Sequence, residues 1–422
     1  AYIYQRQFMN KYNVWNKWGK LKTVMIGNNY SSEFFKDITN DRVRSALQRI
    51  ADETLEDLEN YKNVLKDFGC KVIQPELNRS ESIMDYTNDN GQLSGKLPRG
   101  PLQVRDCQLV AGNHLYYTGW DHPAIKAELD KHYPDYRLAF IDDVTKYHPI
   151  VKKENFNQLA GHSWLTYNDY LKTDYFDRVP EFVKNEFAVF DYNHVVDAPS
   201  ITVVGKDIYV DMYNGTTRLN NVYENTVKSN RVKERFVEDI FGKDFRVNTL
   251  NIGGHNDGCF HTIKQGAVLS LQEIQKYDDT FPGWDVCYLP DQGWNKVQGF
   301  SKIKEQTSGK WWVPGEEDND ALTEFVELWL QDWVGYVEET VFDVNVLVLD
   351  EHHVCVSQID NPVVNKFLKK HKMEPVHVPW RHRYFWDGGL HCITLDLERE
   401  GTQEDYFPER LSSIADLGFD ED

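Results

Sequence analysis

Cys392 follows two glycines and a histidine in DGGLHCITLDLERE (387–400), at the mouth of a stretch that reads as a strand. Other reactive side chains hold similar places. Arg105 and Asp106 open RDCQLVAGNHLYYTG, Asp197 sits in VVDAPS, and His255 and Asp257 sit in GGHNDG, each beside an apolar strand. A cysteine, a histidine and several aspartates meeting in one cleft suit one kind of reaction. The thiolate attacks a planar electrophilic carbon, the histidine keeps it ionised and carries protons, and the carboxylates hold a cation. Planar and cationic together describe a guanidinium, whose N–H groups pair in twos with carboxylates. Attack gives a covalent amidino-cysteine, which an amine or water then resolves. On spacing alone the ordinary readings stay open: Cys392 as a packed thiol, His255 and Asp257 as a surface turn, Asp197 as a turn acid, Arg105–Asp106 as a local ion pair.

The elements that must carry these residues recur. KTVMIG (22–27) reads as a strand and 41–69 as a helix with apolar residues at helical spacing, ending at Gly69. CKVIQPE (70–76) reads as the next strand. Strand–turn–strand patterns follow at 105–119, 198–212, 257–271 and 345–358, and helices are expected at 122–134, 220–242 and 361–373. A hairpin followed by a helix thus returns roughly every 80–90 residues, which suggests stacked ββαβ-type modules whose equivalent ends converge. No Gly- or Pro-rich linker divides the chain, so one domain over 1–422 is expected. The polar, glycine-punctuated stretch 285–325 reads as an inserted loop.

Composition narrows the function. The chain has 422 residues, 41% apolar and 14% aromatic, enough for a substantial core. Its 47 basic and 67 acidic side chains leave a net charge of −20, which disfavours nucleic acid and anionic membranes and suits a protein kept soluble by its acidity or an enzyme acting on a cationic substrate. No run of 18 apolar residues exists, and the first residues lack a secretory pattern, so no membrane span or signal peptide is expected. The six cysteines, at 70, 107, 259, 287, 355 and 392, form no CxxC pair and resemble no zinc knuckle. Free thiols in a reducing cytoplasm are expected.

At this point the chain resembles the glycine/inosamine amidinotransferases, within the guanidine-modifying superfamily that also holds arginine and agmatine deiminases. YNVWNKWGKLKTVMIG (12–27) is similar to that family's opening strand. VRDCQLVAGNHLYYTG (104–119), VDAPSITVVGKDIYVDM (196–212), GGHNDGCF (253–260) and NVLVLDE (345–351) resemble its internal blocks. GGLHCITLDLEREGTQEDY (388–406) resembles its C-terminal block and is the most specific match. The resemblance implies an α/β-propeller of five ββαβ modules with pseudo-fivefold symmetry and the site in its channel. It implies Cys392 as nucleophile, His255 as general acid/base and Asp197 as the carboxylate that partners it. Asp106 and Asp257 would grip the guanidinium, with Arg105 beside them and Gly389 letting the backbone approach. No metal or cofactor is implied. The partners would be a guanidine donor and an amine acceptor, and a homodimer is the assembly considered.

Two departures bear on the substrate. Ile274 stands where arginine-using members place an arginine for the substrate carboxylate, with Lys276 displaced nearby. Glu338 and Glu339 stand where the family has serines near the substrate. A carboxylate clamp has lost a cation and gained anions, which points to a donor or acceptor other than free arginine and glycine. The expected activity is amidino transfer from L-arginine or a related guanidine. Hydrolysis, as in a deiminase, is the alternative, and only the attacking group distinguishes the two.

Overall fold

The structure, a computed structural model, describes residues 11–90, 92–93, 97–117, 122–133, 137–139, 198–211, 237–238, 240–250, 252, 255–271, 276–289, 313, 315–316, 318–330, 333–334, 341–386 and 388–410. The chain opens with β1 (Leu21–Ile26) and helix α1 (Asp41–Asp67). Asn40 caps α1 by accepting from the N–H groups of Arg42 and Val43, and Gly69, at φ 84°, ends it. Its buried stripe of Val43, Leu47, Ile50, Leu58, Tyr61 and Leu65 returns the chain to β2 (Lys71–Ile73), parallel to β1.

The same logic repeats. β3 (Gln108–Ala111) and β4 (His114–Tyr117) form a hairpin, and α2 (Pro123–His132) leads to β5 (Arg137–Ala139), parallel to β4. β6 (Ile201–Val204) and β7 (Asp207–Asp211) pair antiparallel, with β8 (Arg246–Leu250) parallel to β7. β9 (Phe260–Lys264), β10 (Ala267–Ser270) and β11 (Asp285–Tyr288) follow the same order. After α3 (Asp320–Trp329) come β12 (Leu347–Asp350), β13 (His353–Val356), α4 (Pro362–Lys370) and β14 (Glu374–His377). Last is β15 (Thr394–Arg399), antiparallel to β1 with Ile26 opposite Thr394. The described strands make five three-stranded sheets, each an antiparallel pair with a third strand parallel to the middle one. Four antiparallel pairs are local hairpins, whereas the fifth joins sequence-distant segments. The β6–β7 turn needs glycine: Gly205 has φ 61°, and a Cβ there would lie 2.0 Å from the Glu404 carbonyl oxygen.

The expected hairpins all form. The helix expected at 220–242 lies mostly outside the described residues. The stretch 285–325, read as a loop, opens with β11 and runs into α3, because its first residues complete a sheet. All six cysteines are buried, and none is in a disulfide. Among the described residues no helix is long and apolar enough to cross a membrane.

One buried ion cluster joins three sheets. Asp396 on β15 accepts from Arg399 Nε at 2.6 Å and from Arg105 Nη2 at 2.5 Å, while Arg399 also donates to the carbonyls of Val348 on β12 and Gly19. Burial works against the Asp396 charge, but the guanidiniums of Arg399 and Arg105 hold its carboxyl well below the usual range. Because the folded carboxyl titrates below its unfolded value, this stabilisation is full above about pH 4 and fades as pH falls through the folded value. Asp396→Ala would strand two buried guanidiniums, and urea unfolding at neutral pH should show a loss of about 3–5 kcal/mol. A loss under about 1 kcal/mol would mean that the cluster is solvated.

Candidate active site

Each sheet has one edge strand that begins after a short turn. The turns are Val104–Cys107 before β3, Ala198–Ser200 before β6, Asn256–Cys259 before β9, Val341–Val344 before β12, and 388–393 before β15. They carry the reactive residues, and they bond to one another. The Arg105 N–H donates to the Cys392 carbonyl at 3.3 Å, and Arg105 Nε donates to the His391 carbonyl at 2.8 Å. Asn256 Nδ2 donates to Thr202 Oγ1 on β6, and Asn345 Nδ2 to the Asp257 carbonyl, both at 3.1 Å.

At the centre, Cys392 Sγ lies 3.1 Å from Asn345 Nδ2 and 3.5 Å from Asp257 Oδ2. His391 Nδ1 lies 2.8 Å from the same Oδ2. Asp257 Oδ1 is buried and has no hydrogen-bond partner among the described residues, which leaves one oxygen of this carboxylate for an incoming N–H. Burial and the Arg105 charge push His391 down to about 3. It is therefore neutral at pH 7, with its proton on Nδ1 facing Asp257. Burial also opposes ionisation of Asp257, yet the His391 hydrogen bond and the nearby charges of His255 and Arg105 hold its carboxyl well below the usual range. Cys392 goes the other way. Burial and the carboxylates of Asp257 and Asp106 raise its thiol well above the ordinary value, against weaker help from Asn345 and the Gly389 backbone.

The sequence-proposed residues fall into three groups. Cys392 and Asp257 come together, and Asp106 acts on the thiol through its charge. Arg105 lies beside them, but its Nε and Nη2 are committed to His391 and Asp396. Gly389 sits against Asn345 rather than an open space: a Cβ would lie 2.6 Å from Asn345 Oδ1. His255 is exposed and leads into the Asn256–Cys259 turn, where its carbonyl accepts from the Gly258 N–H at 3.1 Å. Asp197, Ile274, Glu338 and Glu339 lie outside the described residues. Lys276 is exposed and precedes the Tyr277–Thr280 turn.

Three residues escaped the sequence reading. Asn345 contacts the thiol, and His391 bonds Asp257. Lys17 is buried, and burial together with Arg105 lowers it to about 7. It lines a small cavity with Arg105, Thr202, Asp257, His261 and His391 that has room for one water molecule. The only sequence signal for Asn345 is its place: it precedes an edge strand, as Cys392 does.

No family model matches the chain. The L-arginine:L-lysine amidinotransferase of Pseudomonas savastanoi pv. phaseolicola is 23% identical over 223 residues, 52% of this chain. That match spans about half of the relative, 48% of its length. The mitochondrial glycine amidinotransferase of Xenopus laevis is 22% identical over 371 residues, 84% of this chain and 71% of that protein. In three dimensions the saxitoxin-pathway amidinotransferase of Microseira wollei aligns with a TM-score of 0.56 at 16% identity, over 94% of this chain and 99% of that one. The inosamine-phosphate amidinotransferase of Streptomyces griseus aligns with the same score at 15% identity, again over 94% and 99%. The resemblance to amidinotransferases seen in the sequence motifs therefore holds across most of the chain, and the mixed α/β fold is shared with solved amidinotransferases.

The thiol environment yields a direct expectation. In the free protein, Cys392 should react with iodoacetamide with a pH midpoint above about 9, the ordinary cysteine range ending near that value. Peptide mass spectrometry reads the rate. Asp106→Asn removes one of the opposing charges and should lower the midpoint. Rapid labelling at pH 7, or no shift in that variant, would contradict the electrostatics described.

Proposed function

We propose that this protein is an amidinotransferase that moves an amidino group from a guanidine donor, L-arginine or a related guanidine, to an amine acceptor through a covalent intermediate on Cys392. The observation that carries the reading is the buried Cys392 thiol beside Asp257, whose Oδ1 has no partner among the described residues. Amidinotransferase relatives over most of the chain support it. The proposed architecture is an α/β-propeller of five ββαβ modules about a pseudo-fivefold axis, on which the five leading turns converge.

The chemistry follows from the charges. Asp106 and Asp257 pair with the planar guanidinium. Its positive charge offsets the two carboxylates that keep the thiol protonated, so the thiol passes its proton to His255 and the thiolate forms where the electrophilic carbon is held. Sγ bonds to that carbon. The bond to the donor amine breaks as His255 protonates the departing nitrogen. The amidino group stays on Cys392, still cationic and still held. The acceptor amine then attacks, His255 takes its proton, and the S–C bond breaks. Asp197 is assigned to orienting His255, and Glu338 and Glu339 to the outer, acceptor-facing part of the site.

Incubation with L-arginine and no acceptor, followed by intact-mass measurement, should show one amidino group added at Cys392. Cys392→Ser should lower turnover by on the order of a thousandfold or more while leaving the melting temperature unchanged. Release of ammonia in step with citrulline, with no dependence on an added amine, would replace transfer by hydrolysis.

A further inference from the structure

Asn345 leads into β12 as Cys392 leads into β15 and Asp257 into β9. Its side chain is buried and makes four hydrogen bonds. Oδ1 accepts from the backbone N–H of His391 at 3.0 Å and of Cys392 at 3.2 Å. Nδ2 donates to the Asp257 carbonyl at 3.1 Å and to Cys392 Sγ at 3.1 Å. An amide offers two acceptor positions and two N–H groups, so its capacity is filled. The amide cannot be turned over, because the NH2 group would then face two backbone N–H donors. Gly389 makes room for it, since a Cβ there would lie 2.6 Å from Oδ1.

We propose that Asn345 is a further catalytic residue of the candidate transferase: its N–H stabilises the Cys392 thiolate, while its carbonyl oxygen fixes the backbone that aims it. This rests on Cys392 being the nucleophile. With all four positions engaged by protein, Asn345 serves the nucleophile rather than the substrate. A thiolate is a far better acceptor than a thiol or a thioether-like sulfur, so the bond strengthens when the sulfur is anionic. That happens before attack and again when the acceptor amine displaces it. Lowering a thiol's pKa by one unit raises the thiolate fraction tenfold and costs about threefold in nucleophilicity. For a thiol held mostly protonated, the balance favours the donor. Aspartate keeps the shape and the two backbone contacts but replaces the donor with an anion.

The test uses the full-length protein. The pH dependence of Cys392 carboxamidomethylation, the melting temperature and amidination by L-arginine are measured for wild type, Asn345→Asp and Asn345→Ala. In Asn345→Asp the alkylation midpoint should rise by about one pH unit or more, and amidination at neutral pH should fall roughly 10- to 100-fold. Its melting temperature should fall, because the new carboxylate faces the Asp257 carbonyl oxygen that Nδ2 donates to in wild type. Asn345→Ala should show a smaller rise in the midpoint together with a lower melting temperature. An unchanged midpoint in folded Asn345→Asp overturns the proposal. Should that variant not fold, an unchanged midpoint in Asn345→Ala overturns it instead. Alkylation needs no substrate, so a wild-type protein that L-arginine fails to amidinate would count against the transferase reading while leaving the Asn345 assignment to be judged on its midpoints.

Discussion

The position of Cys392 depends on a carboxylate it never touches. Asp396 is buried on the strand that follows Cys392, and Arg105 and Arg399 close on it from two sides. Arg399 carries the connection on to β12 through the Val348 carbonyl. Arg105 carries it to the His391 carbonyl, one residue from the thiol. Apolar residues would fill this space as well, but they have no direction. A guanidinium fork on a fixed carboxylate sets angles as well as distances, so the turn before β3 and the turn before β15 keep one relative placement. The cost of burying three charges is met by hydrogen bonds to both carboxylate oxygens and to backbone carbonyls.

The sheet that carries Cys392 joins sequence-distant segments: β15 pairs with β1, more than 360 positions earlier in the sequence. The other four edge strands fold back on their neighbours within a few residues. That difference explains what could be read from the sequence. Alternating apolar residues around GN, GK and QG turns are local, and all four hairpins were legible. The β15–β1 pairing has no local signal.

The site shows the same division. Cys392 and Asp257 are marked by type and setting, and the fold brings their side chains together. Arg105 and Asp106 look like a pair of ligands because they are adjacent. In a single helical turn, neighbours project about 100° apart, so Arg105 reaches Asp396 while Asp106 acts on the thiol. His391 is beside Cys392 in the chain, yet its ring bonds Asp257 from another sheet. Asn345 is an unremarkable residue in an apolar run, and its role exists only where three turns meet. Contacts between turns of different sheets are set by how the sheets pack, which no single stretch of sequence encodes.

A buried thiol flanked by carboxylates is a poor nucleophile in isolation, and that is consistent with the proposed chemistry. Two anions beside a thiolate would place three negative charges together, so the proton stays. One unit of positive charge about 4 Å away is worth roughly 4 kcal/mol at an effective dielectric constant of 20, or about three units of thiol pKa. In the proposed reaction a bound guanidinium would supply that charge at the carbon to be attacked, and the thiol would ionise only with its target present. Asp257 divides the work between its two oxygens: Oδ2 faces Cys392 and His391, and Oδ1 is left for an incoming N–H. The amidino group is planar and cationic both before and after transfer to sulfur, so in the proposed reaction the same carboxylates would hold it through both halves. A single cation site then suffices, and the acceptor amine only has to reach the carbon from the side the departing amine has left.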